Sequence, residues 1–223
     1  MNNNPTSLVS YLITTMTLRR VVGILGIALP FGVSLLAWII FKTGLQSSIS
    51  SYYHTGMRDV FVGALCATGV FLFCYKGYEP EDNSVINWAG LFAIGIAIFP
   101  TIPDGTVTNQ ARIIGYVHLV FGAAFFLALS RLSLKLFTKT SEDPNIKMTN
   151  EKKQRNKVYK ICAYIMAVCV LLMAIFAFLP AENALLIKTY RPIFWLETIA
   201  LVVFGFSWLV KGETLWMDVM QQE

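Results

Sequence analysis

The chain has 223 residues, of which 56% are hydrophobic and only 14% charged, with a formal net charge of +5 at pH 7. An ordinary soluble domain carries roughly 25% charged residues, so lipid rather than water is the expected solvent, and too little sequence is left over for a separate soluble domain. The basic excess sits in a membrane-proximal loop without interleaved aromatics, which excludes nucleic acid as a partner.

Residues 1–20 alternate between polar and mildly apolar and end in Arg19-Arg20; Leu8, Leu12 and Met16 recur at near-helical spacing and predict a short interfacial helix. The run that follows, "VVGILGIALPFGVSLLAWIIF" at 21–41, is longer than the 7 to about 15 residues of a secretory core and lacks a small-residue cleavage site. It predicts an uncleaved spanning helix, loosened or kinked at Pro30. Five further runs, at about 58–75, 86–103, 113–133, 158–180 and 190–210, approach the about 20 apolar residues that a spanning helix needs. Turn signals separate them: "KGYEPEDNS", "PTIPDGTVTNQ" and "LPAENALLIKTYRP". Connections this short make consecutive helices antiparallel neighbours. The predicted fold is an all-α integral membrane protein, a single six-transmembrane-helix bundle over residues 1–223.

Orientation follows from Lys and Arg. With the N-terminus inside, Arg19, Arg20, Lys76, Arg131, Lys135, Lys139, Lys147, Lys152, Lys153, Arg155, Lys157, Lys160 and Lys211 are cytoplasmic, while Lys42, Arg58, Arg112, Lys188 and Arg191 are outside. Thirteen of the 18 cationic residues on one side predict both termini in the cytoplasm. Much of the excess lies in the loop at 134–157, where attraction to anionic headgroups is a secondary consequence. Small residues predict the packing faces: Gly23, Gly26, Pro30 and Ser34 on the first helix, Gly63 and Ala67 on the second, Gly90 and Gly95 on the third, Gly115 and Gly122 on the fourth. Cys66, Cys74, Cys162 and Cys169 all fall inside apolar runs and read as packing residues.

The outer side concentrates the unusual polar residues. The stretch "SSISSYYHTGMRDVFVG" at 47–63 brings Ser50, Ser51, Tyr52, His54, Arg58 and Asp59 together between the first two helices. Asp104 follows the third helix, Arg112 introduces the fourth and Arg191 the sixth. His118 and Glu197 each lie about 6 residues inside their helices, roughly 8 or 9 Å down, and the matched depth predicts that they meet. Burying an ionisable group alone at the centre of a bilayer costs on the order of 2.5 to 3.5 kcal/mol, so both should face the bundle and find partners. Were residues 50–58 helical, Ser50 or Ser51, His54 and Arg58 would share one face, a condition that Gly56 weakens.

Three readings follow. The groups neutralise one another and lock the helices, as in a structural or regulatory subunit. Alternatively, Ser50, Ser51, His54, Arg58, Asp59, Asp104, Arg112, His118, Arg191 and Glu197 line an outward-opening pocket between the second, third, fourth and sixth helices. That pocket would take a lipid headgroup or small amphipathic ligand, with arginines on its phosphate or carboxylate and Trp195 and tyrosines walling its apolar part. The third reading is a membrane-embedded lipid hydrolase with His54, His118, Glu197 and Ser50 as catalytic candidates; a divalent metal such as zinc would be held by His54, His118, Asp59 or Asp104. No cofactor is otherwise predicted, and membrane lipids are the expected partners.

The strings "SISSYYHTGMRDVFVGALCATGVFLFCYKGYE", "AGLFAIGIAIFPT" and "FWLETIALVVFGFSWLVKGE" resemble a family of six-pass bacterial membrane proteins of unknown function, over about Arg19 to Glu213. The resemblance implies six spans in a bacterial inner membrane and no particular activity. More distantly, Ser50 and His54 at four-residue spacing resemble the first element of the alkaline ceramidases and the progestin and adiponectin receptors, with Asp59 or Asp104 in the place of their Asp. That likeness implies a zinc site, but the last helix here carries Glu197 where those proteins carry two histidines. The "IS" element is also similar to one in the six-pass autophagy-modulator and lipid-remodelling membrane proteins.

Overall fold

The computed structural model describes residues 5–139, 149–177 and 189–214, with side chains from Thr15 onward. Lys147, Lys188 and the predicted end of the fifth run at 178–180 lie outside the described residues. The described residues form six α-helices and no strand: α1 (Pro5–Phe41), α2 (Arg58–Cys74), α3 (Pro80–Ile98), α4 (Asn109–Arg131), α5 (Asn150–Ala177) and α6 (Pro192–Lys211). A 3-10 turn at Ser50–His54 precedes α2, and α4 continues into a π-helical turn at Leu132–Leu136.

The predicted interfacial segment is not separate, because α1 runs unbroken from Pro5 through Arg19-Arg20 to Phe41. No glycine or proline falls between Thr6 and Val22 to interrupt it. Pro30 is absorbed within the helix, and the Ser34 hydroxyl donates to the Pro30 carbonyl at 2.6 Å. At the far end Lys42 turns left-handed (φ 51°) and the Thr43 N–H reaches back to the Ala37 carbonyl at 3.0 Å, which closes the helix. The third helix lies earlier than the 86–103 apolar run. Pro80 occupies its first turn, and a capping box between Glu79 and Asp82 starts it there. Phe99, which precedes Pro100, is extended (φ −94°, ψ 112°) and ends it.

Four helical stretches are long and apolar enough to cross a membrane: Thr15–Phe41, Asn109–Leu136, Asn150–Ala177 and Pro192–Lys211. With 17 residues, α2 extends about 25 Å at 1.5 Å rise, short of the about 30 Å hydrocarbon layer. In α3 the first turn is spent on Glu81 and Asp82. Apolar residues also cover the outside: Trp38 and Ile113 are each 64% exposed and Val120 68%.

Each helix packs on its neighbours in the chain, and α6 closes the circuit by packing on both α5 and α1. Two glycine pairs allow the closest approaches. A Cβ on Gly69 would stand 2.9 Å from the Gly90 carbonyl oxygen, and one on Gly90 the same distance from the Gly69 oxygen, which ties α2 to α3. A Cβ on Gly23 would lie 2.8 Å from the Gly205 oxygen, so α1 and α6 also touch through backbone. The predicted second-helix face at Gly63 is different: Gly63 is exposed and a Cβ there meets nothing within 4 Å. Gly69, three residues C-terminal to Cys66, makes the contact instead.

One end of the assembly carries a collar of cations and aromatics. The buried Arg19 donates through Nε and Nη2 to the Tyr75 hydroxyl at 3.1 and 2.9 Å and through Nη1 to the Lys211 carbonyl at 3.4 Å. Arg20 donates to the Gly212 carbonyl at 3.0 Å, and Tyr75 and Phe137 both meet the buried Trp208 edge-on. Lys139 closes the start of α3 with ion pairs of 2.8 Å to Glu79 and Asp82. Hydrogen bonds from its ammonium to Asp82 and then Glu79 hold Lys139 above the ordinary lysine value. Its contribution to stability is therefore intact at neutral pH and lost only as pH rises through that raised value.

Replacing Gly205 by Leu is expected to force α1 and α6 apart and lower stability by about 1–3 kcal/mol. Gly63→Ala should leave stability unchanged or raise it by up to about 1 kcal/mol through helix propensity. Thermal unfolding of the purified protein in detergent measures both.

Candidate functional site

At the end opposite the collar, the segment between α1 and α2 folds inward and is held by α6. The connection from Phe41 is rich in serine, and these hydroxyls supply local caps: Ser48 Oγ accepts from the Ser51 N–H at 2.9 Å and pairs with Ser51 Oγ at 2.7 Å. The 3-10 turn leaves the N–H groups of Ile49 and Ser50 without partners inside the turn. Glu197 supplies them. Its Oε2 accepts from the Ile49 N–H and, at 3.3 Å, from the Ser50 N–H, while Oε1 accepts from the Ser50 hydroxyl at 3.2 Å. The exchange is reciprocal, since the Phe194 N–H in the first turn of α6 donates to the Ser47 carbonyl at 3.2 Å. Half-buried Glu197 thus has the partners that a carboxyl between apolar helices requires.

His118 is buried in α4, and its Nδ1 lies 2.6 Å from the Phe99 carbonyl. A carbonyl only accepts, so Nδ1 carries the hydrogen. Two residues on, the Thr101 carbonyl takes the ring of His54 at 2.8 Å through Nε2. The two histidines therefore bracket the extended Phe99–Thr101 segment. Pro100, between them, has no N–H to compete for either carbonyl. This segment lies close against α4, where a Cβ on Gly115 would stand 2.9 Å from the Ile102 backbone nitrogen.

Glu197, Ser50 and His118 all line one cavity of about 540 Å³. Its remaining wall is almost wholly apolar and comes from every helix, chiefly α4, α5 and α6, with Phe61, Leu65, Phe125, Phe126, Met173 and Leu201 among its larger side chains. The volume is within the about 300–1,000 Å³ of small-molecule sites. Tyr116, Leu119 and Val120 of α4 reach both the cavity and the outer surface; they are 48%, 40% and 68% exposed. The cavity is thus bounded on that flank by residues that face lipid in a membrane.

The other predicted residues are elsewhere. Helix over 50–58 is broken at Thr55, which is extended (φ −122°, ψ 178°), so Ser50, His54 and Arg58 do not share a face. Ser51 turns to Ser47 and Ser48, with Ser47 Oγ at 3.0 Å. Exposed Arg58 stacks on Tyr53, its carbon Cζ 4.6 Å from the ring centre, and donates to the Tyr53 hydroxyl at 2.9 Å. Asp59 is exposed in the first turn of α2, where its charge complements the helix dipole. Asp104 and Arg112 are exposed, and Trp195 is too, away from the cavity wall. Arg191 is partly buried and left-handed (φ 48°) just before Pro192. Below it Tyr52 is fully buried; burial pushes its phenol above the ordinary value, opposed by the Gln46 backbone and the Arg191 charge. Among the described residues no three His, Cys, Asp or Glu side chains converge as a metal-binding group. Ser50 and His54, at the spacing that suggested a hydrolase, turn to different partners: Glu197 and the Thr101 carbonyl.

Sequence reasoning misses the backbone. The N–H groups of Ile49 and Ser50 and the carbonyls of Ser47, Phe99 and Thr101 carry no residue-type signal, although Pro100 and the serine cluster mark where irregular chain must be satisfied. It also misreads Gly122: a Cβ there meets nothing within 4 Å, so this glycine borders the cavity and not a neighbouring helix. Comparisons with protein-family models, with curated proteins and with solved structures find no match to this chain.

Glu197→Ala leaves two backbone donors without their acceptor and is expected to destabilise the protein by about 1.5–3 kcal/mol, Ser50→Ala by about 0.5–1.5 kcal/mol. Because both remove the same contact, the double variant should lose less than the two effects added together, which a thermal-unfolding double-mutant cycle measures.

Proposed function

We propose that this chain is a multi-pass membrane protein that binds a single-chain amphipathic molecule in its interior cavity. The polar head rests at Ser50, His118 and Glu197, and the aliphatic part lies among the side chains of α4, α5 and α6. The observation that carries this reading is the make-up of the cavity wall: about 540 Å³ of apolar enclosure whose few polar residues include the hydrogen-bonded pair Ser50 and Glu197, flanked by α4 residues that also face outward. An entrance on that flank lets a lipid-dissolved ligand arrive without crossing water.

The same reading takes all six helices as spans of a bacterial inner membrane, with both termini cytoplasmic. Support comes from the two polar ends. α2 begins just after the turn that Glu197 holds and finishes at Tyr75 in the Arg19 collar, so it covers much the same depth as α6 despite its 17 residues. The collar end carries Arg19, Arg20 and Lys211, which fits the cytoplasmic excess of positive charge. The resemblance to six-pass bacterial proteins agrees.

Filling the cavity tests the binding reading. Gly122→Leu places a side chain into open space, so it should preserve or raise thermal stability while abolishing retention of a co-purifying amphipathic molecule, read by native mass spectrometry. Ligand retained at the wild-type level in a folded Gly122→Leu protein would refute it. For topology, a cysteine at Lys153 is expected to resist a membrane-impermeant maleimide in intact cells and react after permeabilisation. A cysteine at Asp104 should react in both; the reverse pattern would invert the chain.

A further inference from the structure

The sequence led to arginines gripping a phosphate or carboxylate, yet among the described residues no Lys or Arg lines the cavity. Its polar inventory is Ser50, His118, Glu197 and the half-exposed Tyr116. With Glu197 as a carboxylate, the hydrogen-bond directions at the first three are set by their partners. Glu197 receives three donors, two of them backbone N–H groups that cannot reverse, and a carboxylate oxygen still has lone pairs to spare. Ser50 spends its only hydroxyl hydrogen on Glu197 at 3.2 Å, which leaves its oxygen as an acceptor. His118 commits its Nδ1 hydrogen to the Phe99 carbonyl at 2.6 Å, with the Ile96 backbone also at the ring, so in a neutral ring the second nitrogen carries no hydrogen.

We infer that the headgroup this cavity takes is a hydrogen-bond donor, the ammonium of a long-chain amine or the hydroxyl of a long-chain alcohol, and not a phosphate or carboxylate. The inference rests on the reading of the cavity as a binding site and names the ligand chemistry for it. An anionic head brings only acceptors. Placed beside Glu197 and the spent Ser50 hydroxyl it would set lone pair against lone pair, with only the half-exposed Tyr116 hydroxyl left in the wall to donate to it. A donor head does the opposite, because its hydrogens meet lone pairs that the protein leaves unused. In an apolar enclosure that difference is large, since neither party has an alternative partner.

Four probes with a common dodecyl tail test this: dodecylamine, dodecanol, dodecanoic acid and dodecyl phosphate, titrated into the detergent-solubilised full chain and followed by native mass spectrometry and thermal shift. Cavity binding is the part that Gly122→Leu removes. The amine or the alcohol is expected to bind in the cavity at least about tenfold tighter than the acid and the phosphate, roughly the worth of one hydrogen bond to a charged group. Glu197→Gln turns an acceptor into an amide that presents N–H groups, and it should narrow or reverse that preference. Equal or tighter cavity binding of the acid and phosphate by the wild-type chain overturns the headgroup assignment while leaving the cavity as a binding site. If Gly122→Leu removes no binding of any probe, the cavity reading fails and this inference with it. Because the selectivity is read first on the unaltered chain, a Glu197→Gln protein that fails to fold does not shield the proposal.

Discussion

A half-buried carboxyl group within an apolar helix must find donors nearby, and here the donors are main-chain N–H groups of a segment more than a hundred residues earlier. Glu197 in α6 therefore pulls the Ile49–Ser50 turn inward, and the Phe194 N–H returns the favour through the Ser47 carbonyl. This exchange ties the connection between α1 and α2 to the first turns of α6. Burial of Ile49, Tyr52 and Met57 draws the same connection into the interior, and the Glu197 contact supplies the polar end of the cavity.

The opposite end solves the same problem with side chains. Arg19 is buried, and its guanidinium spreads five donors in a fixed fork, so it needs acceptors from more than one element. The Tyr75 hydroxyl and the Lys211 carbonyl provide them, and the ends of α2 and α6 converge on α1 as a result. Between these polar ends the helices meet through small residues: Gly23 against Gly205 and Gly69 against Gly90 bring backbones into direct contact. Around the ring this contact is uneven. α4 touches α6 only sparsely, and the space left between them and α5 is the cavity.

The cavity joins the two themes. Its wall is apolar because the helices that form it are, and its polar head is the underside of the Glu197 contact. The groups that hold the 49–50 turn in place are thus the groups that a ligand would meet. Stability and recognition draw on the same hydrogen bonds, and the spare lone pairs of an otherwise satisfied cluster set the direction that recognition takes.

The apolar runs alone predicted helix in the right places, because main-chain groups in lipid must bond within their own segment and a run of that length has only one way to do so. The boundaries moved where local chemistry outranked hydropathy, as at the Glu79–Asp82 box that starts α3 early and the Phe99-Pro100 step that ends it. Helical rise converts position into depth and suggested that His118 and Glu197 meet; in the fold both border one cavity, each bonded to a different partner. Depth is one coordinate of three, however. Rotation of each helix and the path of irregular backbone decided that Arg58, Asp59, Asp104 and Arg112 stay outside, that Gly122 faces empty space where Gly115 faces a neighbour, and that main-chain atoms of Ile49, Ser50, Phe99 and Thr101 complete the site. Those outcomes depend on contacts between distant segments, and no single segment's composition encodes them.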